Sequence, residues 1–577
     1  MSRLLILLAL VFSPLLSAQD TMIRELYDPK TDTHVEVLAL FTKPSPGGYF
    51  PVRVKIANNL QTDREVRLDF NSGQNYSNEL VTKSSFSFQA TAGKTVLRDI
   101  MVPLSPPNGY YGNNNVEVAM SGTLGRSSNS IYSEVGPDQP AVLLSESLFT
   151  PNASTLDAEV RAKSGASHRG TSDFAAKFDP KQLPDEWLAF SGYDSVIMTD
   201  GNWMDVPPGA RTAILAWVRL GGQLVIYSTS SSSRAALGLP EDGGYGTIEL
   251  KSIPSTLMLN ATETVNLVMG GNITKPRQTS LRNDFSTSWP LQNKFGAQAF
   301  RYGWFILVLV IFGVLVGPVN LFVLAKSGQR HKLFITTPLI SLGASVVLIA
   351  LIIVQDGFGG RGFRRVLMEV RPDGDLNAAY LHQEQFSRTG VLTGSRFTLE
   401  SPSVLQPVAI AKSRWSRFTD GGGAKGNFNL QPEGAKIEAT GDWFQSRSEH
   451  GHALTSVIST RGRIEATGKE NTFVSTFDFP IERLYYLDSA KQWHRAEDVG
   501  TGKPFTLVPL DSSMVLSELG QEAAGFTKRN RDFLERAQER PGHFIAVTAG
   551  SPGIDTNPGI RWEETRTIIT GPVLGKN

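Results

Sequence analysis

Apolar and polar residues alternate along much of the first 130 positions, the pattern of strands that bury one face. His34–Leu40 sets Val35, Val37 and Ala39 on one side. Tyr49–Ile56 does the same with Phe50, Val52, Val54 and Ile56, and Arg64–Phe70 with Val66, Leu68 and Phe70. Ser85–Phe88, Val96–Val102 and Val116–Met120 follow. Gly, Asn and Pro separate the runs at short intervals. Residues 19–135 are therefore expected to fold as an immunoglobulin-like β-sandwich.

The period changes over residues 136–250. Ala141–Leu144 and Tyr193–Thr199 are continuous apolar runs. Pro207-Pro208 opens a helical pattern carried by Ala213, Ile214, Trp217 and Val218, which Gly221-Gly222 ends. Gln223–Tyr227 is the next strand. Strand, helix and strand in that order predict an α/β domain with a parallel sheet. Residues 251–302 read as a polar connector with apolar patches at Leu257–Leu259 and Val265–Met269.

Two uncharged apolar runs come next. Phe305–Leu324 and Leu333–Val354 hold about 20 and about 22 residues, enough to cross a hydrocarbon core of ~30 Å. They predict a transmembrane helical hairpin over 303–355, with Tyr302 and Trp304 at one interface. The connector carries Lys326, Arg330, His331 and Lys332, which favours the cytoplasmic side. Arg361, Arg364 and Arg365 beyond the second run weaken that argument. The N-terminus orients the chain instead. Arg3, the apolar Leu4–Phe12, Pro14 and Leu16-Ser17-Ala18 read as a signal peptide over 1–18. Both flanking parts are then expected on the periplasmic side of a bacterial inner (cytoplasmic) membrane. Asn320, beside Gly313, Gly317 and Pro318, reads as a helix-packing and kink feature. No Asp, Glu, Lys or Arg lies within either run to relay protons.

The Gly-rich stretch 357–363 reads as a flexible exit from the bilayer. Residues 356–577 are expected to be β-rich, with strands at Val366–Val370, Phe397–Leu399, Val408–Ile410, Ala435–Ala439, Thr472–Phe477, Leu484–Leu487, Phe505–Val508, Phe544–Val547 and Thr567–Ile569. Leu519–Glu539 reads as one helix. Ile437–Gly441 and Ile464–Gly468 share a five-residue match too short to claim a repeat.

Composition narrows the chemistry. Among 577 residues, 56 Lys and Arg balance 55 Asp and Glu, so nucleic acid is not an expected partner. There is no Cys, which removes thiol catalysis, thiolate metal sites and disulfides. Glu449-His450-Gly451-His452 is the only local group of metal-ligand types. It lacks further ligands at a fitting spacing, so it reads as a solvated loop flanked by Arg447, Arg461 and Arg463. Gly93-Lys94-Thr95 ends like a phosphate loop, but that loop's first glycine would fall on Phe88. No metal or cofactor is expected. Asn75, Asn152, Asn260 and Asn272 begin Asn-x-Ser/Thr triplets.

The stretches YDSVIMTD and AILAWVRLGGQLVIYS resemble the core of the class I glutamine amidotransferase-like fold, a flavodoxin-like α/β arrangement. This fold occurs in bacterial membrane proteins that accompany ABC transporters, gliding-motility machinery or MoxR-type ATPases. GPVNLFVLAKSGQRHKLFITTPL is similar to the membrane hairpin of those proteins, so the resemblance covers roughly 140–360. It implies a nucleophilic Cys after the strand that follows the helix, where this chain has Tyr227-Ser228-Thr229-Ser230. It also implies a His after that elbow, whereas His168 precedes it.

The reading that results is a non-enzymatic envelope membrane protein. It would act as scaffold, sensor or accessory subunit of a transport or ATPase-linked complex, with the lipid bilayer and envelope proteins as partners. Two alternatives stand beside it. Asp200, Asn202, Trp203 and Ser228 could line a small-molecule or glycan site at the strand ends, although Asp, Gly and Asn there also suit a plain turn. A Ser-dependent hydrolase would have to recruit Ser228, His168 and Asp200.

Overall fold

The computed structural model describes residues 20–575, except 75–76, 107–113, 134–138, 165–174, 231, 270–284, 286–288, 297–301, 375, 411–412, 414, 417–425, 470 and 552. The signal-peptide segment, Asn75, His168 and Asn272 lie outside the described residues.

The alternating runs form two stacked sheets. One holds β1 (Asp20–Asp28), β2 (Thr33–Ala39), β3 (Tyr49–Asn58) and β6 (Lys94–Pro103). The other contains β4 (Arg64–Gln74), β5 (Ser77–Ala90), β7 (Asn114–Gly122) and β8 (Ser127–Ser133). Along β2 the inward residues Val35, Val37 and Ala39 are fully buried, while their neighbours are partly exposed. Each such Val contributes on the order of 1.5–3 kcal/mol by leaving water.

The second sheet does not end with the N-terminal region. Three later strands extend it: β16 (Phe397–Leu399), β18 (Gly426–Glu433) and β19 (Lys436–Gly441), in the order β16-β19-β18-β5-β4-β7-β8. β18 pairs parallel to β5, with Gly426 opposite Leu80 and Asn429 opposite Lys83. Hydrophobic periodicity predicted β16 and β19 as strands but carried no sign of this distant partner.

The α/β region is a five-stranded parallel sheet of β9 (Val142–Ser145), β10 (Ala175–Phe178), β11 (Ser195–Thr199), β12 (Gln223–Ser228) and β13 (Thr247–Ser252). Their spatial order is β10-β9-β11-β12-β13, which puts a reversal of winding between β9 and β11. β9, β11 and β12 are buried along their length, because helices cover both faces. These helices are α1 (Glu146–Ser164), the short α2 (Asp200–Asp205), α3 (Pro208–Arg219) and α4 (Ala261–Met269). Pro208 starts α3, and Gly221 at φ +103 releases the chain toward β12. Val265 and Val268 of α4 share a core with Leu148, Leu156 and Val160 of α1. The first part of the expected connector therefore belongs to this unit. Asn152 is buried and bridges α1 to the 257–259 segment, donating to Leu257 O and accepting from Leu259 N. That leaves no room for a sugar on its amide.

After α5 (Pro290–Phe295), two long apolar helices leave the body of the protein. The first is α6 (Tyr302–Val314), continued as π-helix over Leu315–Leu324; the second is α7 (Leu333–Asp356). Pro318 lacks an N–H, which accounts for the widened turn. Asn320 is buried between the helices, where its amide donates to Thr337 Oγ1 and accepts from Thr336 Oγ1. Large side chains such as Phe334 and Val354 are about 85% exposed.

The exit after α7 is pinned rather than flexible. Gly359 N donates to Val391 O, Val391 N to Gly357 O, and Gly360 N to Gly559 O. Arg447 bonds Asp356 at the helix end, 2.6 Å away. The chain runs straight into a twelve-stranded sheet. Its members, after β14 (Gly360–Asp373), are β15 (Leu376–Thr389), β17 (Ser403–Pro407), β20 (Glu449–Thr460), β21 (Ile464–Ala466), β22 (Thr472–Ser475), β23 (Ile481–Leu487), β24 (Trp493–Val499), β25 (Pro504–Thr506), β26 (Val508–Leu510), β27 (His543–Thr548) and β28 (Ile560–Leu574).

Three expectations change here. Pro407 closes β17, so the strand lies just before Val408–Ile410. The single helix 519–539 is two, α8 (Ser512–Ala523) and α9 (Lys528–Gln538), broken where Phe526 enters the core and Thr527, at the N-cap position of α9, turns its hydroxyl to Glu384 instead of the helix. The solvated loop at Glu449–His452 is the start of β20, with Glu449 and His452 buried.

The regions are packed together. Phe41 of the sandwich meets Phe178, Phe190 and Tyr193 of the α/β unit at 5.5–6.4 Å between ring centroids. Tyr245, after β12, stacks on Phe533 of α9 at 5.2 Å.

Candidate functional site

The C-terminal ends of β9, β11 and β12 meet where open parallel sheets collect ligands. Thr199 caps α2 by accepting from Asn202 N at 3.0 Å, and the Asn202 side chain faces back to Thr199 N in a capping box. Ser147 donates to Asn202 Oδ1 at 2.5 Å, tying the end of β9 to that of β11.

Asp200 is the hub of the cluster. Its Oδ2 accepts from Ser228 Oγ at 2.6 Å, Ser232 Oγ at 3.0 Å and Ser230 Oγ at 3.4 Å, and its Oδ1 from Gly201 N at 2.8 Å. Partial burial works to raise the carboxyl, but these donors outweigh it and hold Asp200 below its ordinary value. Ser228 Oγ in turn accepts from Ser230 N at 3.2 Å and Ser232 N at 3.0 Å. The hydroxyl thus donates to a weak base and spends its lone pairs on backbone N–H groups. Neither contact activates it as a nucleophile.

Asp200, Asn202 and Ser228 therefore come together as the sequence proposed. Trp203 does not join them. It is buried in the core, and its indole N–H donates to Leu237 O at 2.9 Å. The stretch is the capped start of the short helix α2 rather than a plain turn, and the Asp200 carboxylate stays partly exposed beside it.

A second site was not legible in the sequence. A cleft of about 760 Å³, open mouth included, lies between the opposite end of the parallel sheet and the β15–β20 face. Glu384 of β15 lies at its floor, fully buried. It accepts from Thr527 N at 3.1 Å, Thr527 Oγ1 at 2.5 Å, Asn530 Nδ2 at 2.6 Å and Trp289 Nε1 at 3.1 Å. Burial raises its carboxyl above the ordinary range despite all four donors. Glu384 thereby joins three segments: the central strand, the cap of α9, and Trp289 on the way into the apolar helices.

The Glu449–His452 stretch packs beside this face. Glu449 pairs with Arg388 at 2.6 Å, both nearly buried. His452 Nε2 lies 3.0 Å from Trp443 O, and burial, helped by nearby His450, pushes its pKa down to about 3. Gly451 is required by crowding, since a Cβ there would lie 2.5 Å from the Trp289 ring. Among the described residues, no group of three or more His, Asp or Glu side chains is placed to hold a metal ion.

No protein-family model and no curated protein matches the chain. Solved structures give faint likenesses. A Paenibacillus cycloisomaltooligosaccharide glucanotransferase is 10% identical over 33% of this chain and 27% of its own, with a TM-score of 0.17. A calcium-binding mutant of Bacteroides uniformis β-glucuronidase 2 is 11% identical over 33% and 23%, with a TM-score of 0.15. A β-glucuronidase of glycoside hydrolase family 2 is 8% identical over 82% and 62%, with a TM-score of 0.19. The chain thus spans about a quarter of the first two enzymes and less than two thirds of the third, and no shared fold follows at these scores.

Proposed function

We propose that the chain is a non-enzymatic envelope membrane protein, held in a bacterial inner membrane by α6 and α7, that serves as scaffold, sensor or accessory subunit of a transport or ATPase-linked complex. The pairing of β18 with β5 carries this reading. Strands written before and after the two apolar helices share one sheet, so both must stand on the same side of any membrane those helices enter. A two-crossing hairpin meets that condition. The large exposed apolar side chains of α6 and α7 then face lipid, and the basic turn at Lys326–Lys332 faces the cytoplasm.

The β10-β9-β11-β12-β13 order supports reading the α/β unit as an amidotransferase-like, flavodoxin-like fold whose elbow carries Ser228 in place of Cys. The bonding of Ser228 favours a unit kept for architecture and contact over one kept for acyl transfer.

The natural lack of Cys makes the test clean. Single cysteines placed in 326–332 should be shielded from impermeant thiol reagents in intact cells, while those near 100 and 480 should label once the outer barrier is opened. Labelling only in 326–332 overturns the topology. Affinity purification of the intact chain should return a stoichiometric envelope partner, and a chain recovered alone under all crosslinking conditions counts against the scaffold.

A second reading, a small-molecule or glycan binder at the strand ends, is favoured by the half-exposed Asp200 carboxylate. Ligand-induced thermal shifts of the full chain that vanish in Asp200→Ala would support it, and shifts that persist there would end it.

A further inference from the structure

We propose that a row of arginines where the twelve-stranded sheet meets the apolar helices binds the headgroup of an anionic phospholipid. The proposal rests on the membrane reading of α6 and α7, and it names a lipid class and a site for it.

The row follows from strand register. Arg361 of β14 stands opposite Arg388 of β15 on one side and Arg561 of β28 on the other. Neighbouring strands lie about 4.8 Å apart, and residues in register project to the same face. Three guanidinium groups therefore share one margin of the sheet. Like charges set side by side in this way are destabilising, so the row calls for anions.

The protein supplies only part of them. Arg388 is spent, pairing with Glu449 at 2.6 Å and donating to Gly296 O at 2.8 Å. Arg361 is 58% exposed and reaches only Glu563, at 3.9 Å, a contact that contributes little in water. Arg561 is exposed, and among the described residues it forms no ion pair. Other carboxylates close by are taken, Glu564 by Lys294 and Arg365, and Asp356 by Arg447. Phe295 fixes the row in place, since the guanidinium groups of Arg361 and Arg388 lie 5.1 and 4.6 Å from its ring centroid. Two exposed arginines in register, neither neutralised, suit the oxygens of a phosphodiester.

Tether length names the source of that phosphate. Gly357 caps α7 and Arg361 follows shortly after, so at most about 14 Å of chain separates them. On the other side Arg388 holds Gly296, just ahead of the start of α6 at Tyr302. Tyr302, Trp304 and Phe358 are more than half exposed at these same helix ends, as aromatics at a bilayer interface are. The row thus stands within reach of the headgroup layer. A zwitterionic headgroup would bring its ammonium against the arginines, whereas phosphatidylglycerol brings only the negative charge.

The test uses the full chain in two measurements. Flotation with pure phosphatidylcholine vesicles, followed by an alkaline carbonate wash, reports membrane insertion regardless of lipid charge. Native mass spectrometry from micelles doped equally with phosphatidylcholine and phosphatidylglycerol reports which lipid is retained. The chain should float, resist the wash and retain phosphatidylglycerol in preference. Arg361→Gln combined with Arg561→Gln should reduce that retention by about tenfold, while Arg361→Lys with Arg561→Lys, which keeps the charge, stays within about threefold. Both side chains are exposed, so the melting temperature of each variant should match the wild type. A chain that fails to float overturns the membrane reading and this site with it. A chain that floats yet retains both lipids equally, a Gln variant that retains phosphatidylglycerol as the wild type does, or a lipid displaced by inorganic phosphate overturns the site alone.

Discussion

Asp200 and Glu384 are each held by neutral donors, and among the described residues neither forms an ion pair, yet they titrate in opposite directions. Asp200 is part-exposed at the end of β11, so four donors suffice to lower it. Glu384 lies on a central strand beneath α9, and its donors do not cancel the loss of water. With comparable hydrogen bonding, depth decides the sign. The strand-end cluster holds a ready anion, whereas the cleft floor holds a carboxyl whose ionisation works against the fold.

The sharpest way to break this comparison is Glu384→Ala. It strands the donors of Thr527, Asn530 and Trp289 in a dry interior, and a loss of about 3 kcal/mol or more is expected in denaturant melts of the detergent-solubilised chain. Next comes Gly451→Ala. Its methyl would displace Trp289 from Glu384, costing about 1–3 kcal/mol and changing the tryptophan emission. Asp200→Asn should cost roughly 1 kcal/mol, because water replaces part of what is lost. Ser228→Ala should cost less still and leave any detected hydrolysis unchanged.

The two carboxyls also predict opposite slopes with pH. The lowered Asp200 contributes stability that is present above its ordinary 3.8 and lost as pH falls through the depressed folded value. The raised Glu384 contributes stability that is complete below its ordinary 4.5 and lost as pH rises through the elevated folded value. Melts from pH 3 to 8 should lose the acid-side fall in Asp200→Asn and the fall above 4.5 in Glu384→Gln. Identical slopes in both variants would remove the distinction.

The strand ends were legible because their signals are local: an apolar run, a terminal Asp, a Pro-initiated helix and a Gly stop. Trp203 shows the limit of that reading, since a residue beside Asp200 in sequence turns inward on the same helix. The cleft was illegible for a different reason. Glu384 sits in Leu376–Thr389, a strand buried on both faces yet rich in polar residues, so neither alternation nor apolarity marks it. Its partners come from positions 289, 527 and 530, which only the folded chain brings together. Gly451 misled through composition. Gly between two histidines suits a loop, but here it makes room for an indole. The sheet shared by β5 and β18 left no trace either, because β5 alternates as any edge or central strand would.

That shared sheet also sets a schedule for the newborn chain. Ser85 N bonds to Gln431 Oε1 across 346 residues. At ribosomal rates of about 5–20 residues per second, β5 waits on the order of half a minute for its neighbour. Through that interval its outer N–H and C=O groups form an open edge, ready to pair with any passing strand. Synthesis therefore passes through an aggregation-prone intermediate that finishes only after both apolar helices have been made, and a chain truncated before residue 426 should remain in that state and call on chaperones that the full-length protein releases.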